Sequence, residues 1–234
     1  MRENIINENA NENANENEYK VEFIGKGLSN QKKTYKINLI GLNGVGKSVI
    51  SFRLLNNRFK EDLSPTISLD ILNFQVKVND KIIQLQIWDS CGNEEFAQST
   101  PNLFRDTTLT IIVYAINDRK SFFAVEKWNN ILNQYSFECI KYLIGNKSDL
   151  EDSRVVSEEE GEALKDNYGF DLFLEISAKT GFNITNLINK IAISIYQKEK
   201  KLEEENELIS NGNRISLNNE LDKKSKKKKK RKWC

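Results

Sequence analysis

Residues 41–48 read Gly41-Leu42-Asn43-Gly44-Val45-Gly46-Lys47-Ser48. They lie between a short apolar run, Tyr35 to Ile40, and a segment whose apolar residues Val49, Ile50, Phe52, Leu54 and Leu55 recur at helical spacing. Nothing else in the chain constrains the fold as strongly. A G-x-x-x-x-G-K-[ST] loop needs a buried strand before it and a helix behind it. Its glycines let successive backbone N–H groups converge on phosphate oxygens, and the helix adds its positive N-terminal end. In that arrangement Lys47 reaches the terminal phosphates and Ser48 offers a hydroxyl to Mg²⁺. A Gly-rich turn that binds nothing would have no use for Lys-Ser after its last glycine.

The organised region, about Tyr35 to about Gln197, alternates strand-like and helix-like apolar segments, which is an α/β signature. Phe74 to Val78 and Ile83 to Trp88 alternate in polarity around Asn79-Asp80, as an antiparallel hairpin does. Leu109 to Ile116 and Ile140 to Ile144 are continuous apolar runs suited to buried parallel strands, and Leu172 to Ile176 makes a sixth strand. Helices are expected over Ser121 to Gln134, behind the capping box that starts at Ser157, and from about Asn183, where Ile184, Leu187, Ile188, Ile191 and Ile195 form one stripe. The expected fold is a P-loop NTPase three-layer sandwich: six strands, mostly parallel with one antiparallel, and about five helices.

Both ends differ from this middle. Residues 1–18 are dominated by Asn and Glu, with too little apolar surface to offset the entropy of ordering them. The net charge of +1 hides a segregation: residues 222–232 hold nine Lys/Arg against one Asp, leaving an acidic body. We therefore read a disordered extension over 1–33, a globular domain over 34–198 and a polybasic tail over 199–234, with a flexible linker beyond Asn211. Such a tail suits an acidic partner, and the charge run alone does not choose among anionic lipid, RNA and an import receptor. The three cysteines, Cys91, Cys139 and Cys234, match no disulfide or zinc spacing, which fits a reduced, cytosolic setting. No apolar stretch has the length of a membrane span or a signal peptide, so any membrane contact is expected to be an anchorage.

The base-reading residues come late. Asn146-Lys147-Ser148-Asp149 follows the run Ile140 to Ile144, at the carboxyl end where α/β sheets bind ligands. A carboxylate there accepts the N1–H and exocyclic amine of guanine, whereas adenine would leave it unpaired at a cost of roughly 1–3 kcal/mol. With these two motifs at this separation, the chain resembles the Ras superfamily of small GTPases over roughly residues 35–197. Leu85-Gln86-Ile87-Trp88-Asp89, Asn117-Asp118-Arg119-Lys120-Ser121-Phe122, the Gly145 to Leu150 stretch and Phe173-Leu174-Glu175-Ile176-Ser177-Ala178-Lys179-Thr180-Gly181 are most similar to Rab proteins.

That resemblance implies roles for single residues. It implies a GTP/GDP site with Mg²⁺ built on Gly41 to Val49, with Phe59 stacked on guanine and Ser177, Ala178 and Lys179 completing the pocket beside Asn146, Lys147 and Asp149. It makes Thr66 the first switch threonine at Mg²⁺ and the γ-phosphate, gives Asp89 the metal through water, and has Gly92 donate its N–H to the γ-phosphate. Ser48, Thr66 and Asp89 thus form the metal set, and Lys47, Thr66 and residue 93 the catalytic set. Effectors are expected to read Leu63, Ser64, Pro65, Thr66, Ile67, Ser68, Leu69, Asp70 and Ile71 together with the segment after Gly92. An exchange factor and a GTPase-activating protein are the further partners implied. The protein is expected to be a monomer with no nucleic-acid partner.

Departures from the family pattern carry expectations of their own. Where the family has D-T-A-G-Q-E, this chain has Asp89-Ser90-Cys91-Gly92-Asn93-Glu94. Asn93 is one methylene shorter than the water-positioning glutamine, and a reach error near 1 Å costs on the order of 100-fold, so slow hydrolysis is predicted. A chain that stays GTP-loaded and recruits effectors with negligible turnover is the alternative. Asn43 fills a position near the γ-phosphate that is usually Ser in Rabs, while Leu63 and Ser68 also depart from the pattern. The ending Trp233-Cys234 behind the basic run resembles a membrane-attachment tail, although Rabs usually end with two cysteines. One prenyl chain on Cys234 plus the basic patch is a sufficient pair of signals for the cytoplasmic face of a membrane, in exchange with cytosol.

Overall fold

The structure is a computed structural model and describes residues 19–27, 33–60, 66, 69–93, 101–135 and 138–230. Two compact units divide the chain, Met1–Ile193 and Ser194–Cys234. The first is built on a sheet of seven strands: β1 (Val21–Lys26), β2 (Thr34–Ile40), β3 (Asp70–Val78), β4 (Lys81–Asp89), β5 (Thr107–Ala115), β6 (Ile140–Asn146) and β7 (Leu172–Glu175). Their spatial order is β1-β3-β4-β2-β5-β6-β7. The pairs β2–β4, β2–β5, β5–β6 and β6–β7 are parallel, while β3 runs antiparallel to both β1 and β4. Only β3 therefore runs against the rest. Four α-helices occur among the described residues, against about five expected: α1 (Lys47–Asn56), α2 (Arg119–Tyr135), α3 (Glu158–Tyr168) and α4 (Ile184–Lys230).

Local chemistry accounts for most of these elements. In β5, Leu109, Ile111, Ile112, Val113 and Tyr114 are all buried, which is what a central parallel strand covered on both faces requires. In the β3–β4 hairpin Phe74, Val76 and Val78 face the core beside Ile83, Leu85 and Ile87, and Asn79 turns the chain in the left-handed region at φ 53°. The α3 capping box is closed on both sides, with Glu160 N–H donating to Ser157 Oγ at 3.3 Å and Ser157 N–H donating to Glu160 Oε2 at 2.9 Å. Phe122, Val125, Trp128, Ile131 and Leu132 bury one face of α2 in a cluster with Ile112, Tyr114, Leu143 and Phe173.

Two expectations are corrected. The span 1–33 is not disordered throughout: Val21–Lys26 forms a seventh strand on the β3 edge. Gly27 N–H donates to the Asn73 carbonyl at 2.9 Å, Asn79 N–H to the Lys20 carbonyl at 2.8 Å, and Phe23 stacks on Phe74 with ring centroids 5.9 Å apart. The strand owes its order to pairing partners about 50 residues away, and its own composition beside the Asn/Glu tract gave no sign of it. At the other end, α4 runs to Lys230, so the stretch beyond Asn211 is helical where a flexible linker was expected. Lys, Glu and Leu sustain a helix well, and no proline interrupts them. Residues 1–18 lie outside the described set. Among the described residues no helix is long and apolar enough to cross a membrane.

Candidate functional site

The carboxyl ends of β2, β4 and β6 bring the sequence-selected residues together. Leu39 pairs with Asp89 and Ala115 with Asn146, so the loop after β2, the end of β4 and the end of β6 share one rim of the sheet. Gly46, at φ 98°, turns the loop into α1, and a Cβ there would collide with the side chain of Asn146. A glycine is required at this position by both conformation and space. Lys47, the first residue of α1, is only 5% exposed. Its Nζ donates to the carbonyls of Gly41 at 2.9 Å and Leu42 at 3.0 Å, and burial lowers its pKa to about 8 against the opposing pull of Asp89.

The metal-type donors converge on the same rim. Ser48 Oγ and Thr66 Oγ1 lie 2.6 Å apart, though 18 residues separate them. Asp89 sits beside them with Oδ2 accepting from Ser51 Oγ at 3.4 Å and Oδ1 buried without a partner. Burial pushes the Asp89 carboxyl above its ordinary value; the Ser48 and Ser51 hydroxyls and the Lys47 ammonium oppose that, and Asp70 adds like charge. An orphaned carboxylate oxygen beside two clustered hydroxyls is an oxygen-donor set of the kind that suits Mg²⁺. Gly92 is packed against it: at φ 38°, a Cβ would lie 2.5 Å from Asn43 N and 2.7 Å from Lys47 Nζ.

The base-side residues are held by their own polar contacts. Asn146, 2% exposed, donates from Nδ2 to the Val45 carbonyl at 2.8 Å and accepts the Ala178 N–H on Oδ1 at 3.2 Å. Ser177 Oγ donates to Asp149 Oδ1 at 2.5 Å and accepts the Thr180 N–H at 3.0 Å. Lys147 adopts φ 68°, and Lys179 and Phe59 are exposed, Phe59 to 36%, on the stretches that follow β7 and α1. The Asn146 carboxamide thus joins the phosphate-type loop to the base-type loop.

A family model described as Ras family matches residues 36–197. The chain belongs to the Ras family. GTP-binding protein ypt2 of Schizosaccharomyces pombe is 38% identical over 186 residues, covering 79% of this chain and 92% of that protein. With this relative the chain is a Rab-related member, and members of the family hydrolyse GTP.

Within this Ras-family protein, several residues singled out by sequence fall outside the described set: Leu63, Ser64, Pro65, Ile67 and Ser68 of the effector stretch, Glu94, Trp233 and Cys234. Of the rest of that stretch, Leu69 packs on the core cluster, Asp70 pairs across the sheet with Asp89, and Ile71 is 44% exposed. Asn43 and Asn93 are both exposed. Ser51 and Arg53 were not picked out by sequence. Ser51 reaches Asp89, and Arg53 Nη2 donates to the Thr180 carbonyl at 3.1 Å. The only sequence signal for either is position on the same helix as Lys47.

Proposed function

We propose that this chain is a Rab-type switch that cycles between GDP and GTP states and recruits effector proteins in vesicle traffic, at the cytoplasmic face of a membrane and in exchange with cytosol. The observation that supports the reading is Asn146, whose carboxamide bonds both the Val45 carbonyl and the Ala178 N–H and so links the stretch read as the phosphate loop to the stretch read as the base pocket. ypt2 is named a GTP-binding protein, which agrees.

In this reading the N–H groups of Gly41 to Ser48 and the Lys47 ammonium hold the β- and γ-phosphates, Asp149 accepts from the guanine edge, and Phe59 and Lys179 flank the ring. Ser48, Thr66 and Asp89 hold Mg²⁺, which neutralises charge on the phosphate oxygens when bound. Thr66 and Gly92 report the γ-phosphate to the two switch segments, and effectors read residues 63–71 and the segment after Gly92. Hydrolysis depends on orienting a water at the γ-phosphate. Asn93 presents a carboxamide one methylene short for that task, so turnover is slow. That residue also favours a second reading, in which the chain stays GTP-loaded and acts as an effector-binding module with negligible turnover. Prenylation of Cys234 together with the basic run completes the membrane attachment.

Purified full-length protein with Mg²⁺ and a fluorescent GDP tests the site. GTP and GDP should displace the probe and ATP should not. Displacement by ATP at equal concentration overturns the guanine assignment, and absence of binding overturns the site. Mass spectrometry of the native C-terminus reads the lipid directly.

A further inference from the structure

Arg53 stands where the two halves of the site meet. It lies on α1, the helix that opens with Lys47 and Ser48, and its own carbonyl accepts the Asn57 N–H at 2.9 Å at the other end of that helix. Its Nη2 donates to the Thr180 carbonyl at 3.1 Å, across 127 residues. Thr180 and Gly181 close the loop that contains Ser177, Ala178 and Lys179: Thr180 N–H donates to Ser177 Oγ at 3.0 Å and Gly181 N–H to the Ser177 carbonyl at 2.8 Å. Ser177 in turn fixes Asp149.

The loop backbone comes close to the guanidinium at Gly181. Gly181 sits at φ +93°, and a Cβ there would collide with Nη2 and lie 3.1 Å from Cζ and 3.3 Å from Nε of Arg53. The Nε itself is buried and has no hydrogen-bond partner among the described residues. The guanidinium thus spans from α1 to the backbone of the base loop.

We propose that Arg53 is a positioning residue for guanine recognition. Through Thr180 and Gly181 it holds the base loop in register with the phosphate-gripping helix, and thereby sets both how long a guanine nucleotide stays and how sharply its 2-amino edge is read. The inference rests on the reading that this site holds a guanine nucleotide. Losing the contact loosens Ser177 and with it Asp149, the carboxylate assigned to the guanine edge. A general loss of packing would weaken every nucleotide alike, whereas a loosened Asp149 weakens guanine selectively.

The test compares release of GDP and of inosine diphosphate, which lacks the 2-amino group, from full-length wild type, Arg53→Gln, Arg53→Lys and Gly181→Ala. Arg53→Gln should release GDP about threefold faster, as suits an exposed charged hydrogen bond, and inosine diphosphate by a smaller factor, so that the preference between them narrows. Arg53→Lys keeps the charge without the fork and should fall between, which preserves the test should the glutamine variant not fold. Gly181→Ala, which displaces the guanidinium and also strains the loop backbone at φ +93°, should release GDP at least as fast as Arg53→Gln, and adding Arg53→Gln to it should accelerate release by less than Arg53→Gln does alone, because the contact is already disturbed. Equal acceleration of the two nucleotides, or unchanged rates in variants of a wild type that holds GDP, overturns the role of Arg53. A wild type that holds neither nucleotide overturns the site reading on which it rests.

Discussion

Asn146 Nδ2 lies 2.8 Å from the Val45 carbonyl, and a Cβ on the intervening Gly46 would occupy the same space. The carboxamide and the phosphate-type loop are therefore fitted to each other. Asn146→Ala should leave the Val45 carbonyl and the Ala178 amide without their buried partner. Loss of stability of roughly 1–3 kcal/mol in denaturant unfolding and release of GDP at least about tenfold faster are expected. Wild-type release by a folded variant would refute the clamp.

Gly92 carries the second steric demand. Gly92→Ala places a Cβ against Asn43 and Lys47 at a backbone φ that L side chains rarely adopt. A destabilisation on the order of 1–3 kcal/mol should follow, read from urea midpoints. GTP affinity should fall more than GDP affinity, since the γ-phosphate is the group assigned to the Gly92 N–H.

Asn93→Gln restores the missing methylene. Single-turnover hydrolysis of bound GTP should then accelerate by about 10- to 100-fold. An unchanged rate would remove the argument that reach limits the reaction.

A different kind of contact lies at the end of β7. Arg154 donates from Nη1 and Nη2 to the two Glu175 oxygens, both at 2.7 Å, and the Glu175 side chain is 8% exposed. Arg154→Met should leave that carboxylate unpaired and lower stability by about 3 kcal/mol, while Arg154→Met with Glu175→Met should recover much of the loss. Thermal or urea unfolding of the two variants decides it.

Lys36 supplies a pH-dependent case. Its Nζ donates to the carbonyls of Asn102 at 2.7 Å and Arg105 at 3.0 Å and sits 3.7 Å from the Trp88 ring centroid, yet burial lowers its pKa to about 8 against the opposing pull of Asp106. The folded chain then sheds this proton before the unfolded chain does, so the contribution of Lys36 to stability should rise with pH between about 8 and the ordinary lysine value near 10.5. The difference in urea midpoint between wild type and Lys36→Met, followed across that window, should show this trend. A flat difference would mean that the two carbonyls and the indole face hold the ammonium at its ordinary value.

The legible and illegible parts of the chain differ in how far their causes lie from the residues concerned. The Gly41 to Ser48 loop, the Asn79 hairpin and the Ser157 capping box are each decided within a few residues, by backbone conformations and caps that specific side chains favour. β1 depends on an open β3 edge, Arg53 on Thr180, and Arg154 on Glu175, and none of these pairings has a local spacing rule. Only the family resemblance points to the Ser48–Thr66 proximity, since no periodicity connects residues 18 apart on a helix and a coil.

The seventh strand also decides where a handle can be attached. β1 runs in the same direction as β2 and begins beside the Asn79 turn, at the end of the sheet away from Gly41, Asp89 and Asn146. A fluorophore or surface tether on the exposed Lys20, whose carbonyl accepts the Asn79 N–H, would be held at the sheet edge at a point remote from the loops that follow β2, β4 and β6. The protein can thus be immobilised by that end for release-rate measurements without a label on the rim that carries Lys47, Asp89 and Asn146.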